Sequence, residues 1–268
     1  MIRRFIRCVL AQHQQIYLIF RIIKLRFDLF RRYILTFGLF GAYYNYSKIR
    51  SKKGGLQSLI PANLKHPVYI RLGTSDVSVF EKIFVWREYF ISNLYSPIKQ
   101  IIDCGANTGL SAIWFATQFP TAKVIAVEPD SKNFDLLCKN IAPYSNIIPL
   151  RAAIWSTSCH VKLENPEDRP DSFRFCRCSS DSPNSIMAID IATLCQTHDL
   201  TNIDLLKIDI EGGEREVFSV GCDDWLAQTQ ILLIEFHGED CRKTVTQRIS
   251  NFTWNHHIQG ENDCFVRK

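Results

Sequence analysis

The sequence predicts an α/β fold built on a doubly wound, mostly parallel sheet. Three observations carry that expectation. From Pro97 onward, short apolar runs alternate with amphipathic stretches. The apolar runs are continuous rather than alternating, as in strands buried on both faces. The first of them ends in a glycine-bearing turn, Gly105-Ala-Asn-Thr-Gly109, that opens directly into a helical pattern. Alternating strands and helices of this kind pack as helices on both faces of one parallel sheet.

Taken in order, residues 98–103 read as a buried strand, 109–119 as a helix, 123–128 as the second strand and 131–141 as a helix. Residues 147–154 read as a third strand followed by a turn. The polar stretch 159–185 reads as an insertion, a hairpin plus a loop over the site. Residues 186–198 read as a helix, 203–210 as a fourth strand, 214–220 as a helix and 230–236 as a fifth strand. Upstream, 66–73 reads as a short strand. Residues 75–95 read as an amphipathic helix, with Ser75 or Asp76 capping its first turn and an apolar stripe of Phe80, Ile83, Phe84 and Tyr89.

The first 47 residues read as helical, because Ile16, Ile19, Phe20, Ile23, Phe27 and Phe30 recur at three- and four-residue steps. Residues 1–53 hold 12 Lys or Arg and one acid, Asp28, while the remaining residues hold 20 basic and 26 acidic groups. A net charge of +11 therefore sits on the arm and −6 on the body, within a total of +5. An acidic body argues against a broad phosphate-binding surface there. The longest uncharged stretches of the arm, 8–20 and 33–47, are shorter than the roughly 20 residues a spanning helix needs. No small-residue cleavage site follows a short apolar core, which speaks against a secretory signal. The ten cysteines form no C-x-x-C pair, which weighs against a zinc site, and several lie in apolar runs. A reducing, cytoplasmic setting is expected, with the basic arm, 1–53, able to make peripheral membrane contact. The expected division is a basic amphipathic helical extension, 1–60, followed by one α/β domain, 61–268.

The chemistry concentrates at strand ends. The first strand ends at Asp103, and the turn that follows lets the backbone approach a ligand closely. The second strand ends at Glu128-Pro129, where a carboxylate can accept hydrogen bonds from the two ribose hydroxyls of an adenosine. A tight turn with no ligand is the plain alternative, and a nicotinamide dinucleotide is the nearer rival. The rival normally uses G-x-G-x-x-G, whereas Ala106 and Asn107 crowd the pyrophosphate position and Asp103 would repel phosphate. An acid suits a positively charged ligand without phosphate, such as S-adenosylmethionine (SAM).

Asp103-Cys-Gly-Ala-Asn-Thr-Gly109, then VEPD at 127–130, LLKIDIEGGE at 205–214 and IEFHG at 234–238 resemble the FkbM-type methyltransferase family. RLGTSDVSVF…EY at 71–89 and GENDCF at 260–265 resemble its flanks, so the likeness runs over roughly 68–268. The resemblance implies a class I, Rossmann-like methyltransferase with a seven-stranded sheet, a reversed last strand, SAM as donor and usually an oxygen acceptor. The expected cofactor-binding set is Asp103, Gly105, Ala106, Asn107, Thr108, Gly109, Glu128, Pro129, Ala153 and Asp209.

Lys207, Asp209 and Glu211 alternate at the end of the fourth strand, so period two directs all three to one side. A structural ion network is one reading. The other is that Asp209 or Glu211 orients the acceptor hydroxyl. Glu235 and His237 share a side at the end of the fifth strand, and His237 is the candidate general base because its ordinary pKa lies near neutrality. The expected catalytic set is therefore His237, Asp209, Glu211 and Lys207, with no dedicated metal site, although clustered acids could hold Mg²⁺. The chain lacks the Asn/Asp-Pro-Pro-Tyr and Pro-Cys runs of nucleic-acid methyltransferases. A small-molecule or glycan hydroxyl acceptor is expected, with no specific nucleic acid. A nucleic-acid methyltransferase gripping through the basic arm, and a non-catalytic interaction module, are the rivals.

Overall fold

The computed structural model describes residues 2–49, 54–91, 97–164 and 175–268, with the backbone alone for 2–20 and Leu163. The chain opens with helix α1 (Ile2–Ile49), which kinks at Gly38, where a φ of 74° leaves the helical region. A hairpin of β1 (Gly55–Leu59) and β2 (Val68–Leu72) follows. Helix α2 (Asp76–Phe80) runs into a π-helical turn, Glu81–Trp86, which Arg87 ends in the left-handed conformation at φ 59°. Then come β3 (Gln100–Cys104), α3 (Leu110–Gln118), β4 (Lys123–Val127), α4 (Ser131–Ile141), β5 (Ile147–Leu150), β6 (Ala153–Ile154), β7 (Cys159–Leu163), β8 (Phe175–Cys178) and β9 (Ile186–Ile189). The chain closes with α5 (Ile191–Thr197), β10 (Ile203–Ile208), α6 (Glu214–Val217), α7 (Asp223–Ala227), β11 (Thr229–Glu235), α8 (Glu239–Ile249), β12 (Trp254–Gln259) and β13 (Asn262–Arg267).

Among the described residues the main sheet has seven strands in the order β12-β13-β11-β10-β3-β4-β5. The run β11-β10-β3-β4-β5 is parallel, and the last strand, β13, is reversed between β11 and β12. This is the Rossmann-like sheet that the motifs predict. Strand order turns back on either side of β3, so the cleft opens at the carboxyl ends of β3, β4 and β10.

Successive strand residues point to opposite faces, and both faces are buried. Ile101, Val124, Leu205 and Leu233 pack on one side with α3, α4 and the turn Glu81–Trp86. Ile102, Ile125, Leu206 and Leu232 pack on the other with α5, α7 and α8. The arm joins the first of these cores through Tyr33, Ala42 and Ile49, all buried.

Three local expectations are corrected. Residues 186–198 are not one helix: Ile186–Ile189 pairs with β6 and β7, and Asp190 caps α5 by accepting from Thr193 N at 2.8 Å. The β-branched isoleucines fit a pleated strand as well as a helix face, and sheet pairing decides between them. The helix expected over 75–95 ends at Trp86, and residues 92–96 lie outside the described part. Neither proposed cap closes it: Ser75 makes no capping bond, and buried Asp76 instead holds the Arg71 guanidinium at 2.8 Å. The expected hairpin insertion is present as β7 and β8, and its connection, 165–174, lies outside the described residues.

Candidate functional site

A cleft at the carboxyl edge of the sheet is lined by Gly105, Ala106 and Asn107 after β3, Glu128 and Pro129 after β4, and Ala153 to Trp155 after β5. Lys207 lines it from the end of β10, Asp209, Ile210, Glu211 and Gly213 from the loop that follows, and Val79, Ile83 and Tyr89 from the segment before β3. Seven of the expected cofactor-binding residues thus share one wall: Gly105, Ala106, Asn107, Glu128, Pro129, Ala153 and Asp209.

Gly105 needs to be glycine. Its φ is +77°, and a Cβ would run into the carbonyl oxygen of Asp209. That close approach joins the turn after β3 to the loop after β10. Asn107 is also left-handed, at φ 49°, as is Glu211, at φ 54°. Left-handed backbone is costly for glutamate, and strain of this kind collects at functional sites.

Glu128 is buried. Its Oε2 accepts from Asn107 N at 2.9 Å and its Oε1 from Asp130 N at 3.0 Å. Burial pushes its pKa up to about 7, and the two backbone donors hold it from rising further.

Asp103, Thr108 and Gly109, also in the expected set, do not line the cleft. Asp103 is fully buried, accepts from Ser111 Oγ at 2.6 Å and pairs with Lys207 Nζ at 3.2 Å. Its charge is spent inside the sheet, because an unpaired buried carboxylate would be far more costly. Thr108 turns its carbonyl to Asn140 Nδ2 at 2.8 Å, and Gly109 packs on Leu137 and Ile141 as α3 begins. Lys207 also donates to Gly105 O at 2.7 Å. Burial opposes its charge, but Asp103 and Asp209 outweigh burial and lift its pKa above the ordinary lysine range.

Of the four expected catalytic residues, His237, Asp209 and Glu211 come together, while Lys207 stays buried against Asp103. His237 Nε2 lies 3.2 Å from Glu211 Oε2 and 3.8 Å from Asp209 Oδ1, while its Nδ1 lies 2.8 Å from Glu214 Oε1. Asp209 and Glu211 line the cleft, and His237 contacts both without lining it. Burial lowers the imidazole pKa, but the bond to Glu214 and the charges of Glu214, Glu211 and Asp209 win and raise it to about 9. His237 therefore carries a proton at neutral pH. Ligand atoms of Asp209, Glu211 and His237 lie within 4.8 Å of one another, close enough for one cation to bridge.

Several site residues escaped the sequence reading. Glu214 was visible only as the last letter of a motif. Trp155 and Phe175 enter from beyond β5 and from the inserted hairpin. Lys82, from the π-helical turn, lies 3.8 Å from Glu235 and contacts Glu261. Burial and the Asp209 charge raise Glu235 to about 7, against the pull of Lys82 and His237.

The family described as the methyltransferase FkbM domain matches residues 103–253, a little over half of the chain. The hexuronic acid methyltransferase AglP of Haloferax volcanii is 29% identical over 55% of this chain and 60% of its own length. The 2-O-methyltransferase NoeI of Sinorhizobium fredii is 24% identical over 70% of this chain and 81% of its own. A crystal structure of a methyltransferase FkbM from Methylobacillus flagellatus aligns over 72% of this chain and 52% of that one, at 17% identity and a TM-score of 0.46. The chain thus spans less than two thirds of the Haloferax and Methylobacillus proteins.

Proposed function

The chain belongs to the FkbM methyltransferase family, and from that premise we propose that it transfers a methyl group from SAM to a hydroxyl oxygen of a sugar, glycan or secondary metabolite. The observation that carries the oxygen acceptor is the pair of carboxylates, Asp209 and Glu211, that line the cleft in contact with His237. A hydroxyl loses its proton as its oxygen is alkylated, and these carboxylates are the nearest acceptors for it. The sugar class follows the relative named for hexuronic acid, and the oxygen acceptor is in keeping with the one named as a 2-O-methyltransferase.

The cleft suits SAM on its own chemistry. Glu128 Oε2 accepts only from Asn107 N and keeps a lone pair for a ribose hydroxyl, while Oε1 takes Asp130 N and a long 3.5 Å bond from Asn133 Nδ2 that a second hydroxyl could replace. Asn107 Oδ1 and Trp155 Nε1 are buried on the wall without a hydrogen-bond partner among the described residues, an acceptor and a donor left for a ligand. Val127, Ile154 and Phe175 give an apolar slot fit for a purine. When bound, SAM supplies an electrophilic methyl on a sulfonium.

The remaining work belongs to the chain. Lys207, tied to Asp103 and to the Gly105 carbonyl, holds the turn after β3 against β10. Asp209 and Glu211 orient the acceptor hydroxyl and take up its proton. Protonated His237, pinned by Glu214, keeps the two carboxylates close together despite their mutual repulsion. Val79, Ile83 and Tyr89 keep water off the reacting atoms. Titration calorimetry with SAM, followed by an acceptor screen that reads S-adenosylhomocysteine release and locates the methyl by NMR, tests the proposal. Methyl transfer to nitrogen, or no SAM binding, overturns it.

A further inference from the structure

One face of α1 is taken up by the body. Tyr33 donates to Glu81 Oε1 at 2.6 Å, Thr36 Oγ1 donates to Phe84 O at 3.1 Å, Phe37 stacks on Phe80, and the Arg32 guanidinium lies 4.5 Å above the Trp86 ring. The other face is bare. Ile23, Phe27, Arg31 and Leu35 follow one another along it at four-residue steps, all exposed. Beyond the break at Gly38 the chain folds back, with Tyr46 packing on Phe30 and Tyr33, and this second segment exposes Leu39, Phe40, Tyr43 and Tyr44 away from buried Ala42 and Ile49. Phe27 is 70% exposed and Phe40 92% exposed. Residues 21–27 are exposed on every side, so that stretch of the helix, which also carries Arg21, Lys24 and Arg26, stands clear of the body.

We infer that α1 docks on an anionic lipid surface, lying along it rather than crossing it. Large apolar side chains interspersed with cations are what such a surface takes, acyl chains receiving the first and phosphate headgroups the second. The charge argues for lipid over a second copy of the chain. The segment 1–53 has twelve basic residues against one acid, so two such segments repel each other, while an anionic leaflet attracts both. The length argues for lying flat. Among the described residues no helix is long and apolar enough to cross a membrane, and the arm's uncharged stretches are too short to span one. A nucleic acid would answer the charge but leave Phe27, Phe40 and Tyr43 in water.

The test is co-sedimentation of the full chain with sucrose-loaded vesicles of phosphatidylcholine, alone or mixed with phosphatidylglycerol. Binding should require phosphatidylglycerol and fall severalfold when salt shortens the Debye length from about 10 Å to roughly 4 Å. Phe27→Ser with Phe40→Ser should cut the bound fraction at least fivefold. Thermal midpoint and SAM binding should stay unchanged, since both rings are largely in solvent. Arg21→Gln with Lys24→Gln should weaken binding to phosphatidylglycerol vesicles as well. The inference is overturned if the wild type stays in the supernatant, if it binds neutral vesicles equally, or if the phenylalanine variant binds like the wild type. It is also overturned if ultracentrifugation finds a dimer that the phenylalanine variant dissolves, or if the chain binds RNA but not vesicles.

Discussion

The imidazole of His237 meets the carboxylate of Glu214 at 2.8 Å, Nδ1 to Oε1, with Glu214 fully buried. Glu214 begins α6 directly after the loop 209–213, and His237 follows β11, so the contact ties that loop to the end of β11. The same Glu214 oxygen lies 3.4 Å from the backbone nitrogens of Ile210 and Gly212. This pair is why His237 keeps its proton up to about pH 9 and why Asp209 and Glu211 have a cation beside them.

That pair predicts alkaline sensitivity. The folded pKa of His237, about 9, lies above the ordinary value of 6.5. Its stabilisation is complete below about pH 6.5 and disappears as pH rises through about 9. The ceiling is on the order of 3 kcal/mol, reduced by partial exposure of the ring. The wild-type melting temperature should fall between pH 7 and 10, and His237→Gln should flatten that fall. An equal fall in the variant refutes the assignment.

His237→Ala should lower turnover by about 10²-fold, the scale of misplacing the two carboxylates that take the proton, and leave SAM affinity within about threefold of the wild type. Glu214→Gln should move the pH profile of turnover toward lower pH, because removing the buried charge lets the imidazole lose its proton earlier. Steady-state kinetics with calorimetry separates the two effects. A rise in SAM Kd matching the loss of turnover would place His237 in cofactor binding instead.

Glu128 predicts an acid limb in cofactor binding. Ribose hydroxyls donate better to the ionised carboxylate, whose pKa is about 7. SAM affinity should therefore be level above that pH and fall about tenfold per unit below it. Glu128→Ala should weaken binding roughly ten- to hundredfold, the worth of charge-assisted hydrogen bonds. A flat Kd from pH 5 to 8, or an unchanged Kd in the variant, sinks the role.

Gly105→Ala should abolish SAM binding while the protein still folds with a lowered melting temperature. The new Cβ meets the Asp209 backbone, which cannot swing away like a side chain, so the two loops must part. A calorimetric Kd within threefold of the wild type would show that the cleft does not depend on this approach.

Chelation should leave methyl transfer unchanged. The proton on His237 already offsets the charges of Asp209 and Glu211, and a cation would have to displace it. Loss of activity in EDTA, restored by Mg²⁺, would make the 4.8 Å cluster a metal site.

The sequence alone determined the sheet and the address of the site. The runs 98–103, 123–128, 203–210 and 230–236 have apolar centres that do not alternate with polar residues because both faces of the sheet are covered, and Gly105, Glu128, Asp209 and His237 follow strand ends where a parallel sheet opens its cleft. These are local patterns, readable along the chain. The tertiary structure decided what each charge does there. Asp103 and Lys207 lie 104 residues apart in the chain yet become β3–β10 register partners, and their mutual neutralisation takes Asp103 off the cleft wall. Trp155 and Phe175 reach the cleft from beyond β5 and from the inserted hairpin, neither of which carries a local signal for it, while Lys82 and Glu261 meet Glu235 from flanking motifs whose spacing does not show that contact. His237 reads in sequence as a histidine near neutrality, and three surrounding carboxylates raise it to about 9. Periodicity and strand ends are short-range properties of the chain, whereas a side chain's charge state depends on the groups that folding brings within a few ångströms of it.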